Sequence, residues 1–269
     1  MYDYHVHTCF SPDSSMNIER AIEKAISMGL KEVAFTDHGE ISVWRPDKGI
    51  VDEVFHIPTY IEKLQELKIK YKNQIGIKIG MEIGLQKEEK ERIDTIISKY
   101  PFDFVIGSSH TIQKYDLFFK KIFKDRTKEE AYDLYFKEVE KITQIIDSYS
   151  VYGHIDVIRR YAYGEYEDIS IGQRHIEQMK RIFKIIIEKG KGIEVNTSGF
   201  RYGIGTNHPD VDLLKLYKDL GGEIITVGSD AHKEEDIGYR IKETYKILRD
   251  LGYKYITTFE DMKPMFVKL

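Results

Sequence analysis

The chain has 269 residues, 41% of them hydrophobic, and its 41 Lys and Arg against 45 Asp and Glu give a formal net charge of −4. With 6 Pro and 1 Cys this composition excludes a disordered or collagen-like chain and a disulfide framework, and the acidic balance argues against broad nucleic-acid binding. No apolar run approaches the ~20 residues of a membrane span, and the Met1–His5 start lacks signal-peptide character, so a cytoplasmic location is expected.

Tyr2–His7 is the first β-like run and ends on His5-Val6-His7. Ile18, Ala21, Ile22, Ala25 and Ile26 then follow the spacing of an amphipathic helix, with Gly29 placed to end it. Glu32–Asp37 runs into His38, Gly76–Glu82 ends on Glu82, and Phe104–His110 ends on Ser108-Ser109-His110. Thr127 and Glu130 make a capping box ahead of a long helix to about Ser148. Val151–Asp156 carries His154, Gly192–Asn196 leads towards Arg201, and Glu223–Asp230 runs into Ser229-Asp230-Ala231-His232. Lys254–Phe259 is an eighth strand candidate, and Gly190, Gly221 and Gly252 each follow a helix end. No linker or low-complexity stretch interrupts the series, so residues 1–269 read as a single domain. Regular β-then-α order implies a parallel sheet, and seven or eight such units suit a closed β/α barrel better than an open doubly wound sheet.

Of the nine histidines, His5, His7, His38, His110, His154 and His232 fall at or just past predicted strand ends, as do Glu82 and Asp230. In a β/α barrel those ends converge on one face, the face that carries active sites. An isolated His-x-His is more often a hydrogen-bonded pair than a metal grip. The joint occurrence of His5/His7, Asp230/His232, His38, Glu82, His110 and His154 points instead to a polynuclear centre. So many nitrogen and oxygen ligands exceed the needs of one ion, so two or three metals are implied, and imidazole with carboxylate suits Zn, Mn or Fe. Cys9 is expected to pack near the site without ligating, and His56, His175 and His208 are expected to be ordinary surface or core residues. Arg159, Arg160 and Arg201 follow predicted strands and can bring guanidinium to the same rim, where arginine binds phosphate in bidentate fashion. No phosphate-cradling nucleotide loop is present.

The set His5-Val6-His7, Asp13, Thr36-Asp37-His38, Glu82, His110, His154 and Ser229-Asp230-Ala231-His232 resembles the polymerase and histidinol phosphatase (PHP) superfamily. Within it, the stretches Gly153–Tyr161 and Glu194–Arg201 resemble the monofunctional histidinol-phosphate phosphatases. The resemblance implies an α/β fold, a distorted seven-stranded (β/α)7 TIM-like barrel, around a trinuclear site. It implies one metal on His5, His7, Glu82 and Asp230, a second on Glu82, His110 and His154, and a third on Asp13, His38 and His232. Asp13 stands where many members have His, and Ser109 and Thr111 replace more apolar neighbours. Asp3, Asp37 and Asp156 are expected to orient imidazoles or contact substrate. Arg159, Arg160, Arg201, Ser198 and Asp156 are the expected substrate contacts, and Asp230, His232 and Arg160 the expected catalytic residues. The implied reaction is hydrolysis of a small phosphomonoester, L-histidinol phosphate, in histidine biosynthesis, with no nucleic-acid or membrane partner. A PHP-type nuclease or phosphotyrosine phosphatase would use the same metals, and a non-catalytic metal-binding scaffold is the reading from a different class. An amidohydrolase would carry a bridging lysine where this chain has His110.

Overall fold

The computed structural model describes residues 1–269. Strand β1 (Tyr2–Val6) is followed by helix α1 (Ile18–Ser27), which buries the expected face of Ile18, Ala21, Ile22 and Ala25 and is capped by Asn17, whose side chain accepts from the Arg20 amide. β2 (Glu32–Phe35) leads into a hairpin of β3 (His38–Arg45) and β4 (Gly49–Val54), and then α2 (Ile57–Lys70). β5 (Gly76–Gly84) precedes α3 (Lys90–Lys99). β6 (Phe104–Ser108) precedes a small hairpin of β7 (Thr111–Ile112) and β8 (Tyr115–Asp116). The Thr127–Glu130 capping box then starts α4 (Lys128–Ile145). β9 (Val151–Tyr152) is followed by α5 (Ile158–Ala162) and α6 (Gln173–Glu188), and β10 (Gly192–Asn196) by α7 (Val211–Asp219). β11 (Ile225–Gly228) precedes α8 (Ile241–Asp250), and the chain ends in β12 (Tyr255–Glu260) and β13 (Lys263–Lys268).

Strands β1, β2, β5, β6, β9, β10 and β11 pair in parallel in that order. The last returns to the first through a parallel bridge between Val6 and Ala231, where the His7 amide donates to the Ala231 carbonyl at 2.9 Å and the Ala231 amide to the His5 carbonyl at 3.2 Å. The result is a seven-stranded β/α barrel with each strand followed by helix, as the alternation predicts.

Side-chain parity divides each strand between helix layer and lumen. Ile77, Ile79, Met81 and Ile83 of β5, and Ile193 and Val195 of β10, join the outer apolar core. Lys78, Glu82 and Glu194 are therefore the inward residues. On β1 the pairing slips between Asp3 and Val6. Tyr4 consequently packs inside the barrel and Val6 outside, while His5 and His7 emerge at the upper end.

A second apolar cluster of Tyr4, Ala34, Phe104, Ile106, Val151 and Phe259 fills the lower lumen. Lys254–Phe259 is therefore not an eighth barrel strand, because β11 has already closed on β1. Instead β12 pairs antiparallel with β13 and seals the barrel floor. The Phe259 ring lies 5.0 Å from Phe104, its amide donates to the Tyr4 hydroxyl at 2.9 Å, and the Ile225 amide donates to Thr257 Oγ1 at 3.1 Å. The Val151–Asp156 run also shortens to Val151–Tyr152, since His154 takes a positive φ of 20° and turns the chain off the sheet. Neither the β3–β4 nor the β7–β8 hairpin was anticipated.

Phe259 is the plug of the floor, so Phe259→Ala should lower the free energy of unfolding by about 3–5 kcal/mol. Urea denaturation of the metal-loaded protein measures it, and a loss under about 1 kcal/mol would mean the hairpin does not support the barrel.

Candidate active site

Glu82 rises from the lumen face of β5 and is fully buried among five imidazoles. Its Oε2 lies 3.2 Å from His5 Nε2, 3.5 Å from His7 Nε2 and 2.9 Å from His38 Nδ1. Its Oε1 lies 3.2 Å from His110 Nε2 and 3.0 Å from His154 Nε2. Asp230 Oδ1 joins the first group at 3.7 Å from His5 Nε2 and 3.4 Å from His7 Nε2. Asp13 Oδ2 lies 3.6 Å from His38 Nε2 and 3.2 Å from His232 Nε2.

These separations fit divalent cations. Ligand atoms ~2.0–2.1 Å from a tetrahedral ion stand ~3.3 Å apart, and His110 Nε2 and His154 Nε2, both turned towards one carboxylate oxygen, are 3.3 Å apart. The buried atoms His5 Nε2, His7 Nε2, His38 Nδ1 and Glu82 Oε2 have no hydrogen-bond partner, which a native interior does not tolerate without a ligand. Four donor groups can each hold an ion: His5, His7 and Asp230; Glu82, His110 and His154; His7, His38 and His232; and His38, Glu40 and His110, the last made of residues that the contacts below and the other groups already use, which leaves three independent sets. Asp13 stands beside the third.

The imidazoles are held from behind. His5 Nδ1 donates to Glu194 Oε1 at 2.5 Å, His110 Nδ1 to Glu40 Oε1 at 2.6 Å and His232 Nδ1 to the Asp230 carbonyl at 3.0 Å, while His7 Nδ1 meets Ser11 Oγ at 3.1 Å. Each contact fixes the tautomer and aims Nε2 at the centre. Glu194 Oε2 also accepts the His154 amide at 2.9 Å. Glu194 and Glu40 are site residues that sequence reasoning missed. The signal for Glu194 was present, since a charged residue between Ile193 and Val195 must face the lumen. Glu40 sits on an unanticipated hairpin and gave none. A Cβ on Gly228 would come within 2.5 Å of Glu194 Oε1 and would also strike His5, so only glycine leaves room for this pair.

Arg160 lines a cavity of about 540 Å³ together with Asp13, His38, Glu82, His110 and His232. Its guanidinium lies over Tyr202, 4.3 Å from the ring centroid, and its Nη1 is 3.4 Å from Asp230 Oδ2. The other expected substrate contacts lie elsewhere. Arg159 is buried on the opposite side of α5, where Nη1 donates to Asp156 at 3.1 Å and Asp210 at 2.9 Å. Asp156 is wholly buried and also accepts from His208 Nδ1 at 2.8 Å, so His208 is a buried core residue that helps hold Asp156 in place. Ser198 is buried and donates to Asn196 Oδ1 at 2.5 Å. Arg201 donates to the Ser229 and Asp230 carbonyls at 2.8 and 2.7 Å, clamping the turn in which Asp230 holds a strained φ of 55°. Asp3 accepts from the Ser229 and Gly238 amides, and Asp37 from Thr8 and Ser11, so both order loops and neither touches an imidazole ring. His56 caps α2, His175 pairs with Asp133, and Cys9 is exposed and not packed.

The charges reinforce one another. Burial pulls His5 towards its neutral form, but Glu194, Glu82 and Asp230 outweigh it and hold its pKa well above the ordinary value. Burial likewise opposes, and carboxylates overcome, at His38 and His110. Burial and the neighbouring His232 and His38 hold His7 well below. Against burial, the imidazoles hold Glu82 well below the usual carboxylate range, and His5, His7, His232 and Arg160 do the same for Asp230.

A β/α barrel with a histidine-carboxylate cluster at its strand ends defines a class. The sequence matches the PHP domain family over residues 3–198, and the chain belongs to that family. Within it, the histidinol-phosphatase of Lactococcus lactis subsp. lactis (strain IL1403) is 32% identical over 263 residues, 97% of this chain and 95% of that protein. A Clostridium acetobutylicum relative named "Probable histidinol-phosphatase" is 33% identical over 260 residues, 94% of this chain and 95% of the relative. The solved structure of histidinol phosphate phosphatase from L. lactis complexed with zinc, L-histidinol and phosphate matches with a TM-score of 0.87 at 30% identity, covering 98% of both chains. No helix of this chain is long and apolar enough to cross a membrane.

Two outcomes follow from the donor sets. Elemental analysis of reconstituted protein should find two or three equivalents of divalent metal; one or fewer contradicts the three-set arrangement. In the metal-free protein the raised pKa values of His5, His38 and His110 keep those imidazoles protonated at neutral pH, so an incoming ion must expel protons. Apparent affinity should therefore rise with pH, and titration calorimetry in buffers of different ionisation enthalpy should show net proton release.

Proposed function

We propose that the chain is a metal-dependent phosphomonoesterase that hydrolyses L-histidinol phosphate to L-histidinol and phosphate in histidine biosynthesis, in the cytoplasm. The observation that carries this is one cavity holding three donor sets joined through Glu82, with the guanidinium of Arg160 on its wall. The relatives and the zinc, histidinol and phosphate complex of the L. lactis enzyme support the substrate.

In this reading His5, His7, Glu82 and Asp230 hold one metal, Glu82, His110 and His154 a second, and Asp13, His38 and His232 the third. Zn, Mn or Fe suit these ligands. When bound, such ions lower the pKa of water towards neutrality and neutralise phosphate oxygens. Arg160 grips the phosphoryl group and takes up charge as the bond to the alcohol breaks, and the Tyr202 ring beneath it keeps the guanidinium plane in place. Asp230 is ionised against His5 and Arg160 and so has no proton for the leaving alkoxide. His232, a ligand in the same reading with its Nδ1–H on the Asp230 carbonyl, has none to give either, so the proton comes from water in the open cavity. Asp156 and Arg159 pair with each other and fix α5, so Arg160 alone of the two arginines faces the phosphate.

Phosphate release from a panel of histidinol phosphate, phosphotyrosine, nucleoside monophosphates and short single-stranded DNA tests the substrate; preference for a member other than histidinol phosphate would overturn it. Arg160→Lys keeps the charge and loses the planar fork, so kcat/KM should fall roughly tenfold to hundredfold with metal content unchanged. Arg159→Lys should instead lower stability with little effect on kcat/KM. Glu82→Ala should cost more activity and more bound metal than Asp13→Ala, because a bridging carboxylate serves two ions and a terminal ligand one.

A further inference from the structure

Arg160 reaches the cavity with few bonds of its own. Its Nη1 is 3.4 Å from Asp230 Oδ2, at the far limit of a hydrogen bond, its Nη2 donates to the Tyr161 hydroxyl at 3.1 Å, and the Tyr202 ring lies beneath it. Where the guanidinium stands is therefore set by two backbone segments, α5 and the loop of residues 197–207 that carries Tyr202. Each needs an anchor outside itself. α5 is a five-residue helix with no side-chain cap at its start, too short to be stable alone. The loop turns beyond Tyr202 on Gly203 and Gly205, both left-handed at φ 78° and 75°. Thr197 and Arg201 tie it to the far side, through the carbonyls of Tyr239, Ser229 and Asp230. Its ends are closed by a bridge in which the Asn196 and His208 amides each donate to the other's carbonyl, at 2.7 and 2.8 Å. From that closure the His208 ring reaches the chain just ahead of α5: Nδ1 donates to Asp156 Oδ1 at 2.8 Å, and Asp156 Oδ2 takes Arg159 Nη1 at 3.1 Å. Neither side chain of the His208–Asp156 pair has any exposed surface, whereas Asp210, which repeats the link through Arg159, is 25% exposed. His208 Nε2 is buried without a partner, so the bond to Asp156 is the only side-chain hydrogen bond that orients the ring.

We propose that His208, which does not touch the cavity, is a positioning residue for the phosphate grip: by holding Asp156 it locks the closure of the Tyr202 loop to the start of α5, so that the Tyr202 ring and the Arg160 guanidinium keep one spacing. This rests on the reading of Arg160 as the phosphate ligand and extends it to a residue far from the metals' own ligands. A hydrogen bond to a carboxylate is stronger inside the protein than in water, so the pair makes a stiff joint. Stiffness matters here because a planar fork binds phosphate only when correctly placed, and a misplacement of about 1 Å can cost roughly a hundredfold in rate. A residue that merely filled the core would lower stability and leave the contribution of Arg160 intact. A residue that acts through Arg160 loses its effect once the fork is gone.

The test is a double-mutant cycle between His208 and Arg160 in the metal-loaded full chain, read as kcat/KM on L-histidinol phosphate and, independently of turnover, as affinity for inorganic phosphate by titration calorimetry. His208→Gln carries its donor one bond further from the backbone and away from Asp156, and should lower both quantities roughly tenfold with metal content unchanged. His208→Asn, whose side-chain nitrogen stands as many bonds from the backbone as Nδ1, should stay within roughly threefold of the native protein. In the Arg160→Lys chain, His208→Gln should cost less than about twofold more. Equal losses in the Gln and Asn variants, or a full further loss on top of Arg160→Lys, overturn the positioning role and leave the phosphatase reading standing. Phosphate affinities that follow the cycle while no ester is turned over support the coupling and overturn the phosphatase reading. Should His208→Gln fail to take up metal, Gly199→Ala replaces it in the cycle: its methyl strikes the Thr206 carbonyl and comes within 3.2 Å of the His208 ring, displacing the same joint from the loop side. A loss in Gly199→Ala that adds in full to that of Arg160→Lys overturns the proposal.

Discussion

A carboxylate with no exposed surface, Glu82, sits at the centre of this protein, and the arrangement around it answers the cost of putting a negative charge there. Burying an ion is tolerated only when opposite charge and hydrogen bonds replace the lost water. Three imidazoles face one of its oxygens and two face the other. The carboxylate is therefore a bridge between two neighbouring donor sets, and the strand that carries it is gathered into a common centre with β1, β3 and the segments after β6 and β9.

The imidazoles are themselves fixed, and the groups that fix them come from other strands. His5 on β1 is held by Glu194 on β10, and His110 after β6 by Glu40 on β3. Such anchors set which nitrogen faces the centre and raise its basicity as a ligand. They also explain why the site belongs to the whole barrel: a shift of one strand would break the grip on a ring belonging to another. The strained turn at Asp230 is part of the same system, since Arg201 ties its backbone carbonyls and keeps the side chain on the first donor set.

Charge is divided along the barrel axis. The floor is closed by aromatic packing of Tyr4, Phe104 and Phe259, which needs no ligand and is sealed by the C-terminal hairpin. The upper end carries the histidines, Glu82 and Arg160, and two hairpins add a second charged wall. This separation leaves the floor to supply stability, while the upper half keeps polar groups without protein partners, which binding chemistry requires.

Much of this was legible in the chain. Apolar residues spaced for helix faces, glycines after helix ends and short strands at regular intervals determined a parallel β/α barrel, because each of these signals is local and repeats with the period of its own element. The positions of His5, His7, His38, His110, His154, Asp230, His232 and Glu82 at strand ends determined the face of the metal centre, because a closed barrel brings all such ends together. Tertiary structure alone decided the rest. Arg159 and Arg160 are adjacent, but five residues of helix, not a strand, carry them, and the rotation of α5 sends Arg159 to Asp156 and Asp210 and Arg160 to the cavity. Arg201, read as a substrate contact, is drawn to backbone carbonyls exposed by a left-handed turn that no local pattern announces. Lys254–Phe259 has the composition of a barrel strand, yet β1 and β11 had already satisfied each other's edges, so it could only pair with its own neighbour and turn its aromatic ring into the floor. Local periodicity determines what an element is, whereas closure of the barrel decides which groups are left to find one another across it.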